Sequence, residues 1–547
     1  MRRLVIAWIV LAACSDRGPQ RVGEAPCWRR GPRISAAGGP VTFAPTSEPA
    51  ARYNEAPALA PHTALGDAAT AAVRDAAARA GLPPPLPDAR LFRACAELAA
   101  VVPEEGVIGY AAVEFALQRN GIIEPSPHLL VLWGDIDSPE LIVNELAPRL
   151  AEVLRDGATA RLGIGATRRK PDGTGAIVFA LQGSGVSTAP IPRAVAAGGS
   201  IALDAVVNAR YRDPEVFVTY QGGDTRRLEL KPGRPGGFVA DVACGRHQGR
   251  LQIEIAAADA SGSTVLANFP VWCAVRPPPS VTVEPVRDEA QAGGAAQAER
   301  RLLASVNRDR AAAGLPTLLW DDALAAVAHG YSEEMRRTHI VAHISPTTGS
   351  AADRVRAANI KTAVVLENVA LAYGVAEAHD GLMNSPGHRA NVLSSLATHI
   401  GIGVAFGDEG SGRREIFVTQ VFMRVPPKLD PPQAMAAVRQ KIAAARPGVA
   451  PAARLDGLAQ QLADGLAAGK SAEAAYQAIS GKVTGLNKLY ERVGSVINTV
   501  ADLDSTDGAG LLGGSSGNEY GLGIAQGSHP HIGDNAIWIV VLVATRR

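Results

Sequence analysis

The stretch "NSPGHRANVL" (384–393) sets a histidine at the start of a helix. Ser385 suits the N-cap and Pro386 the first helical position. His388 then falls in the first turn, where the positive end of the helix dipole disfavours an added proton. A neutral imidazole there can ligate a metal or hydrogen-bond a bound group. A surface histidine in a capped turn reads the same way, so His388 needs partners before it means anything. No CxxC or HExxH spacing marks a metal centre. Gly401 and Gly403 precede a strand with no helix after it to hold an anion, so they read as close-packing residues and not as a phosphate loop. Ser345 lacks a GxSxG elbow or any oxyanion-hole motif around it.

The elements that would position such residues show up as a repeat. "VRDAAARAGLPPPLPDARL" (73–91) aligns without a gap to "VNRDRAAAGLPTLLWDDAL" (306–324). "LGIGATRRKPDGTGAIVFALQ" (162–182) aligns to "IGIGVAFGDEGSGRREIFVTQ" (400–420), also without a gap. Each copy opens with Gly-Leu-Pro and an Asp at a helix start. Each closes with a Gly-containing strand pair. A fainter third copy runs from "PGVAPAARLDGLAQQLADGL" (447–466), with Asp456 at its helix start, to "YGLGIAQGSHPHIGDNAIWIVVLV" (520–543). The expected unit is a sheet packed on helices, present three times.

Between the first two copies the pattern changes. "SIALDAV" (200–206), "VFVTY" (216–220), "RLELK" (227–231), "GFVADVAC" (237–244), "LQIEIAA" (251–257) and "VLANFPVWC" (265–273) alternate apolar and polar residues, with turn formers between them. That spacing predicts a small all-β Ig-like sandwich over 190–275.

At 547 residues several domains are required. A net charge of +1 gives no electrostatic reason to expect nucleic acid as a partner. Arg2 and Arg3 precede the apolar run "LVIAWIVLAA" (4–13), too short to span a bilayer as a mature helix. The run ends in "LAAC" (11–14), which resembles the lipobox of bacterial lipoproteins. That resemblance implies cleavage after residue 13, lipidation of Cys14 and a membrane anchor. An ordinary secretory signal is the alternative. Ser15 after the cysteine favours the outer membrane by the usual sorting pattern. Residues 14–60 read as a flexible tether. With Cys14 lipidated, four cysteines remain in an oxidising compartment. Cys244 and Cys273 share the β domain and are the expected disulfide; Cys27 with Cys95 follows by elimination only.

The central copy alone contains "AHISP" (342–346), "LENVA" (366–370) and "NSPGHRANVL" in that order, then "IGIGVAF" and "IFVTQVF". Over about 297–425 it resembles the CAP superfamily of cysteine-rich secretory, antigen 5 and pathogenesis-related proteins (the SCP domain), in its bacterial branch. The resemblance implies an α+β fold. A central CAP-type α-β-α sandwich (286–425) would be flanked by two degenerate CAP-like α/β units (61–188 and 434–547). It also implies a cleft holding His343, Glu367 and His388. The family's second acid has no clear match: Asp353 stands too far along, and Glu377 is the remaining candidate.

Two imidazoles and a carboxylate facing one pocket would suit a divalent metal such as zinc. A His–Glu pair could equally orient a general base. The outer copies have no histidine at the matching positions. The expected protein is therefore an extracytoplasmic, lipid-anchored one that binds a peptide, glycan or lipid in its central cleft. Alternatives are a metal-assisted or His-based hydrolase of peptide or cell-wall material, and a purely structural envelope or adhesion protein.

Overall fold

The computed structural model describes residues 40–547 apart from 56–59, 103–108, 155–158, 222, 284–293, 408–413, 504–505 and 531. Cys14, Cys27 and the expected signal peptide lie outside the described residues. No helix among the described residues is long and apolar enough to cross a membrane.

A two-residue strand, a helix, an edge strand and a closing hairpin recur three times. The central sheet runs, edge to edge, Leu319–Trp320, His399–Phe406, Ile416–Met423, Val365–Ala372. The N-terminal sheet runs Leu86–Pro87, Thr159–Arg168, Thr174–Gly183, His128–Asp135. The C-terminal sheet runs Ala450–Pro451, Glu519–His529, Gly533–Arg546, Tyr490–Val500. In each the short strand is parallel to its neighbour and the other pairings are antiparallel.

The Gly-x-Gly motif explains how helix and sheet meet. The helix after the short strand is capped by Asp88 in the first unit and by Asp321 in the second. It then crosses the hairpin backbone to backbone. A Cβ on Gly401 would lie 2.2 Å from the Leu324 carbonyl carbon, and one on Gly403 2.2 Å from the His329 nitrogen. Gly163 meets Leu91 and Gly165 meets Ala96 in the same way, as do Gly521 with Leu455 and Gly523 with Ala459. No side chain fits there, so glycine is a packing requirement at these positions.

Two details of the repeat differ from the sequence alignment. Gly401 lies opposite Val421, whereas Gly163 lies opposite Ala180. The closing strands therefore correspond at a spacing of 241 (421 minus 180), not 238, because the central hairpin loop is longer by three residues. In the third unit the helix is capped at Ala452, and Asp456 sits inside it. That carboxylate accepts the Leu522 N–H (2.9 Å) and bonds Arg439 (2.8 Å), so it ties strand to helix and does not start the helix.

The intervening region is two sheets around one core. One runs Lys231–Pro232, Gly237–Ala243, Ser200–Val207, Val186–Thr188; the other Thr225–Arg227, Arg212–Tyr220, Gly249–Asp259, Gly262–Cys273, Ala194–Val195. Leu203, Val218, Phe238, Ile253 and Phe269 fill the space between them. The expected strand at 227–231 is split between the two sheets, since Arg227 pairs with Phe217 and Lys231 with Val239. Cys244 and Cys273 form a disulfide, with Cα atoms 5.7 Å apart. Cys95 is buried and unpaired among the described residues.

Part of the expected tether is packed instead. Val41–Phe43 pairs with Val281–Val283, and Arg52–Tyr53 with Ile191–Pro192. Phe43 is buried in the N-terminal unit and Tyr53 in the two-sheet core, where its hydroxyl donates to the Pro270 carbonyl at 2.7 Å. Composition concealed this because two aromatic anchors suffice to order a Pro-rich segment.

The glycine contacts predict opposite signs for one chemical change. Gly403→Ala should destabilise by about 1–3 kcal/mol through overpacking. Gly457→Ala, where an added Cβ meets nothing within 4 Å on a helix, should stabilise by about 0.5–1 kcal/mol. Denaturant midpoints of the full chain check both signs.

Candidate functional site

The central cleft is assembled from four segments of the domain. His343 lies in the loop after helix Asp322–Thr338, and Glu367 on edge strand Val365–Ala372. Glu377 is in the first turn of helix Val375–Asn384, and His388 in the short helix Pro386–Val392. All four line one cavity of about 690 Å³. The side chains named from sequence are therefore brought together.

Glu367 is 8% exposed, so its charge needs compensation on site. One carboxylate oxygen bonds His343 Nδ1 at 2.9 Å; the other accepts from the Arg354 guanidinium. Arg354, on helix Ala351–Ala357, also stacks over the Tyr331 ring at 3.4 Å and donates to the Gly349 carbonyl at 2.7 Å. Tyr331 is buried and its hydroxyl bonds the Ala342 carbonyl, next to His343. Asp353 closes a capping box with Ser350 on the same helix and is an exposed structural acid. Glu377 accepts the Tyr373 N–H at 3.1 Å and takes no part in the His343–Glu367 contact.

His388 is held by its backbone and by one ring nitrogen. Asn368, fully buried, donates to the His388 carbonyl at 3.1 Å and to Gln420 at 3.0 Å. Asn391 spans from its own helix to the Glu367 carbonyl at 3.0 Å. His388 Nδ1 lies 2.8 Å from the Ser385 hydroxyl, and its ring centroid is 6.1 Å from that of His343. Burial, and secondly the charge of His343, push the His388 pKa down to about 3. The neutral imidazole expected from its place in a helix turn is therefore present, with burial as the main cause.

Ser385 occupies the N-cap position, but its side chain makes no capping bond. Its hydroxyl donates to Glu254, which also accepts the Gly387 N–H at 2.9 Å. Glu254 belongs to strand Gly249–Asp259 of the two-sheet unit. It is 1% exposed, and burial pushes its carboxyl up to about 7. The cap is thus supplied by another part of the chain.

Sequence reasoning missed Glu254, Arg354 and Asn368. Alternation in "LQIEIAA" marks Glu254 as outward-facing, and no motif says that another unit covers that face. The cover is direct: the Ser261 carbonyl accepts the N–H groups of His343 (3.2 Å) and Ile344 (3.0 Å), and Asn268 donates to the Asn384 carbonyl at 3.2 Å. Tyr110 and Glu114 of the N-terminal unit line the same cavity.

Each Glu367 oxygen accepts one hydrogen bond, and among the described residues no group of three or more His, Cys, Asp or Glu side chains is gathered in metal-ligand geometry. What the cleft offers is a neutral imidazole, a second imidazole paired with a carboxylate, and a half-open, largely apolar space.

The two buried groups have opposite linkage signs. His388 sits below its ordinary 6.5, so the unfolded chain takes up a proton that the folded chain refuses. Stability is lost as pH falls from about 6.5 towards 3, by at most about 1.4 kcal/mol per pH unit. Glu254 sits above its ordinary 4.5, and its contribution is lost as pH rises from 4.5 to about 7. In His388→Gln the acid-side loss should shrink, and denaturant midpoints between pH 4 and 8 measure it against the parent protein.

Residues 303–422 match the model of the CAP (cysteine-rich secretory protein) family. Among curated proteins, the chain is 39% identical over 108 residues to the uncharacterized membrane protein YlbC of Bacillus subtilis, covering 19% of this chain and 31% of that one. It is 34% identical over 106 residues to the uncharacterized protein YkwD of the same organism, covering 19% and 41% respectively. The chain thus spans well under half the length of both relatives. Among solved structures it is similar to an extracellular protein containing an SCP domain from Bacillus anthracis. That match has 22% identity and a TM-score of 0.22, over 38% of this chain and 67% of that one. Residues 303–422 are accordingly a domain of the CAP superfamily, set within a longer chain of several units.

Proposed function

We propose that the central CAP domain binds a peptide, glycan or lipid ligand in the cavity that holds His343, Glu367 and His388. One observation carries this reading: a half-open cleft of about 690 Å³ lined by two imidazoles, with apolar walls such as Val341, Val369 and Leu382. Such a space suits a ligand with an apolar body and a few hydrogen-bonding groups. The flanking units are read as degenerate CAP-like scaffolds and the two-sheet unit as an Ig-like module. By register, the strand position of Glu367 is taken by Leu129 in the N-terminal sheet and by Ser495 in the C-terminal one.

A second reading is a His-based hydrolase. The His343–Glu367 hydrogen bond favours it, since a carboxylate on Nδ1 orients an imidazole as a base. Zinc binding through His343, Glu367 and His388 remains a separate proposal. The protein is further proposed to sit in the bacterial envelope, anchored through a lipid on Cys14. The extracellular SCP-domain protein and the membrane-protein name among its relatives support an extracytoplasmic location.

Binding is tested by native mass spectrometry of the full chain with three probes: muramyl dipeptide, a synthetic peptide mixture and palmitic acid. One class is expected to bind, with a loss of tenfold or more in His343→Ala/His388→Ala. Absence of binding to every probe, or undiminished binding in the double variant, overturns the reading. Appearance of cleaved probe that vanishes in the double variant promotes the hydrolase instead. Equilibrium dialysis against zinc in the same two proteins decides the metal. For the anchor, Cys14→Ser should move the expressed protein from the membrane fraction to the soluble one.

A further inference from the structure

Glu254 stands where strand alternation calls for a solvent-facing residue. Leu251, Ile253, Ile255 and Ala257 point into the two-sheet core. Gln252 and Glu254 point the other way and are nonetheless buried, at 5% and 1% exposure. A buried carboxylate without a paired cation is costly unless hydrogen bonds satisfy it. Both Glu254 oxygens are so satisfied, and both donors belong to the CAP domain: the Ser385 hydroxyl and the Gly387 N–H.

The Ser385 hydroxyl has one proton to give. Given to Glu254, it leaves the serine oxygen as an acceptor towards His388. The nitrogen 2.8 Å away, Nδ1, must then carry the imidazole proton. The ring is neutral, so Nε2 is left bare. The Asn368–His388 carbonyl bond fixes the backbone that carries the ring, and the Asn268–Asn384 carbonyl bond holds the two-sheet unit against the turn before it.

We propose that Glu254 is a positioning residue of the central cleft. Acting through Ser385, it holds His388 in the Nδ1–H form, so that Nε2 presents a lone pair to whatever occupies the cavity. The functional site is then shared by two units, and the CAP domain alone is incomplete. The value of the lone pair to a ligand rests on the binding reading above; the tautomer does not. The other titratable groups on this cavity are His343, Glu367 and Glu377 from the CAP domain, Tyr110 and Glu114 from the N-terminal unit, and Glu215 from the two-sheet unit.

The test uses the full chain labelled with 15N-histidine, at pH 8.5 where Glu254 is ionised. Long-range 1H–15N correlation spectra report which ring nitrogen is protonated, and His388→Gln assigns the signal. The expected result for the parent protein is protonated Nδ1 and bare Nε2. In Glu254→Gln the amide oxygen stays with the Gly387 N–H and the amide NH2 faces Ser385. The hydroxyl must then turn its proton towards Nδ1, and the ring switches to Nε2–H.

A merely structural Glu254 would leave the tautomer unchanged. The same tautomer in both proteins, or Nε2–H in the parent, overturns the proposal, and the second outcome needs no variant to fold. Whichever probe the parent binds should lose about tenfold in Glu254→Gln, with a circular dichroism spectrum like the parent's. If no probe binds while the tautomer switches as stated, the binding reading fails and the positioning role stands.

Discussion

The contact between helix Asp322–Thr338 and the glycines of strand His399–Phe406 fixes the rest of the central domain. With backbone against backbone, the helix has one height and one angle over the sheet. Its C-terminal end then delivers the loop bearing His343 to the edge strand that carries Glu367. Ser332 on the same helix is fully buried; its hydroxyl donates to the Gly403 carbonyl and pairs with the Thr419 hydroxyl, both at 2.9 Å. The polar contact locks the slide that close packing alone would permit.

On this frame the cleft gathers charge in a place that resists it. Glu367 is paired with Arg354 and aligned by His343, and that guanidinium is itself seated on Tyr331. Across the cavity the arrangement is reversed: among the described residues Glu254 has no ion-pair partner, and it relies on two hydrogen-bond donors. The result is a pocket with one strongly committed carboxylate and one whose proton is loosely held at neutral pH. The two histidines lie between them, His343 on the committed side and His388 on the other.

Much of this was legible in the residues. The three motifs around His343, Glu367 and His388 are local in sequence, and each sits on or just after an element with clear signals: a capped helix, an apolar strand and a Pro-initiated turn. The Gly-x-Gly repeats were legible as packing sites because no helix follows them. What escaped was the contribution of surfaces. Glu254 and Asn268 lie on a face that alternation marks as wet, and only the neighbouring unit dries it. Phe43 and Tyr53 were lost in a Pro-rich stretch because two anchors leave no periodicity. The slip across the hairpin came from reading strand and loop as one rigid segment, and the displaced helix start of the third unit from trusting one aspartate.

The outer sheets keep the glycine-to-helix contact while holding Leu129 and Ser495 at the strand position of the buried carboxylate. Such a unit owes its architecture to backbone proximity and nothing at that spot to electrostatics. It is therefore free to exchange side chains above its sheet without stranding a guanidinium. The middle copy has no such liberty, because Arg354 would be left uncompensated by any neutral substitute. One skeleton thus carries two kinds of sheet, one chemically constrained and one open to drift.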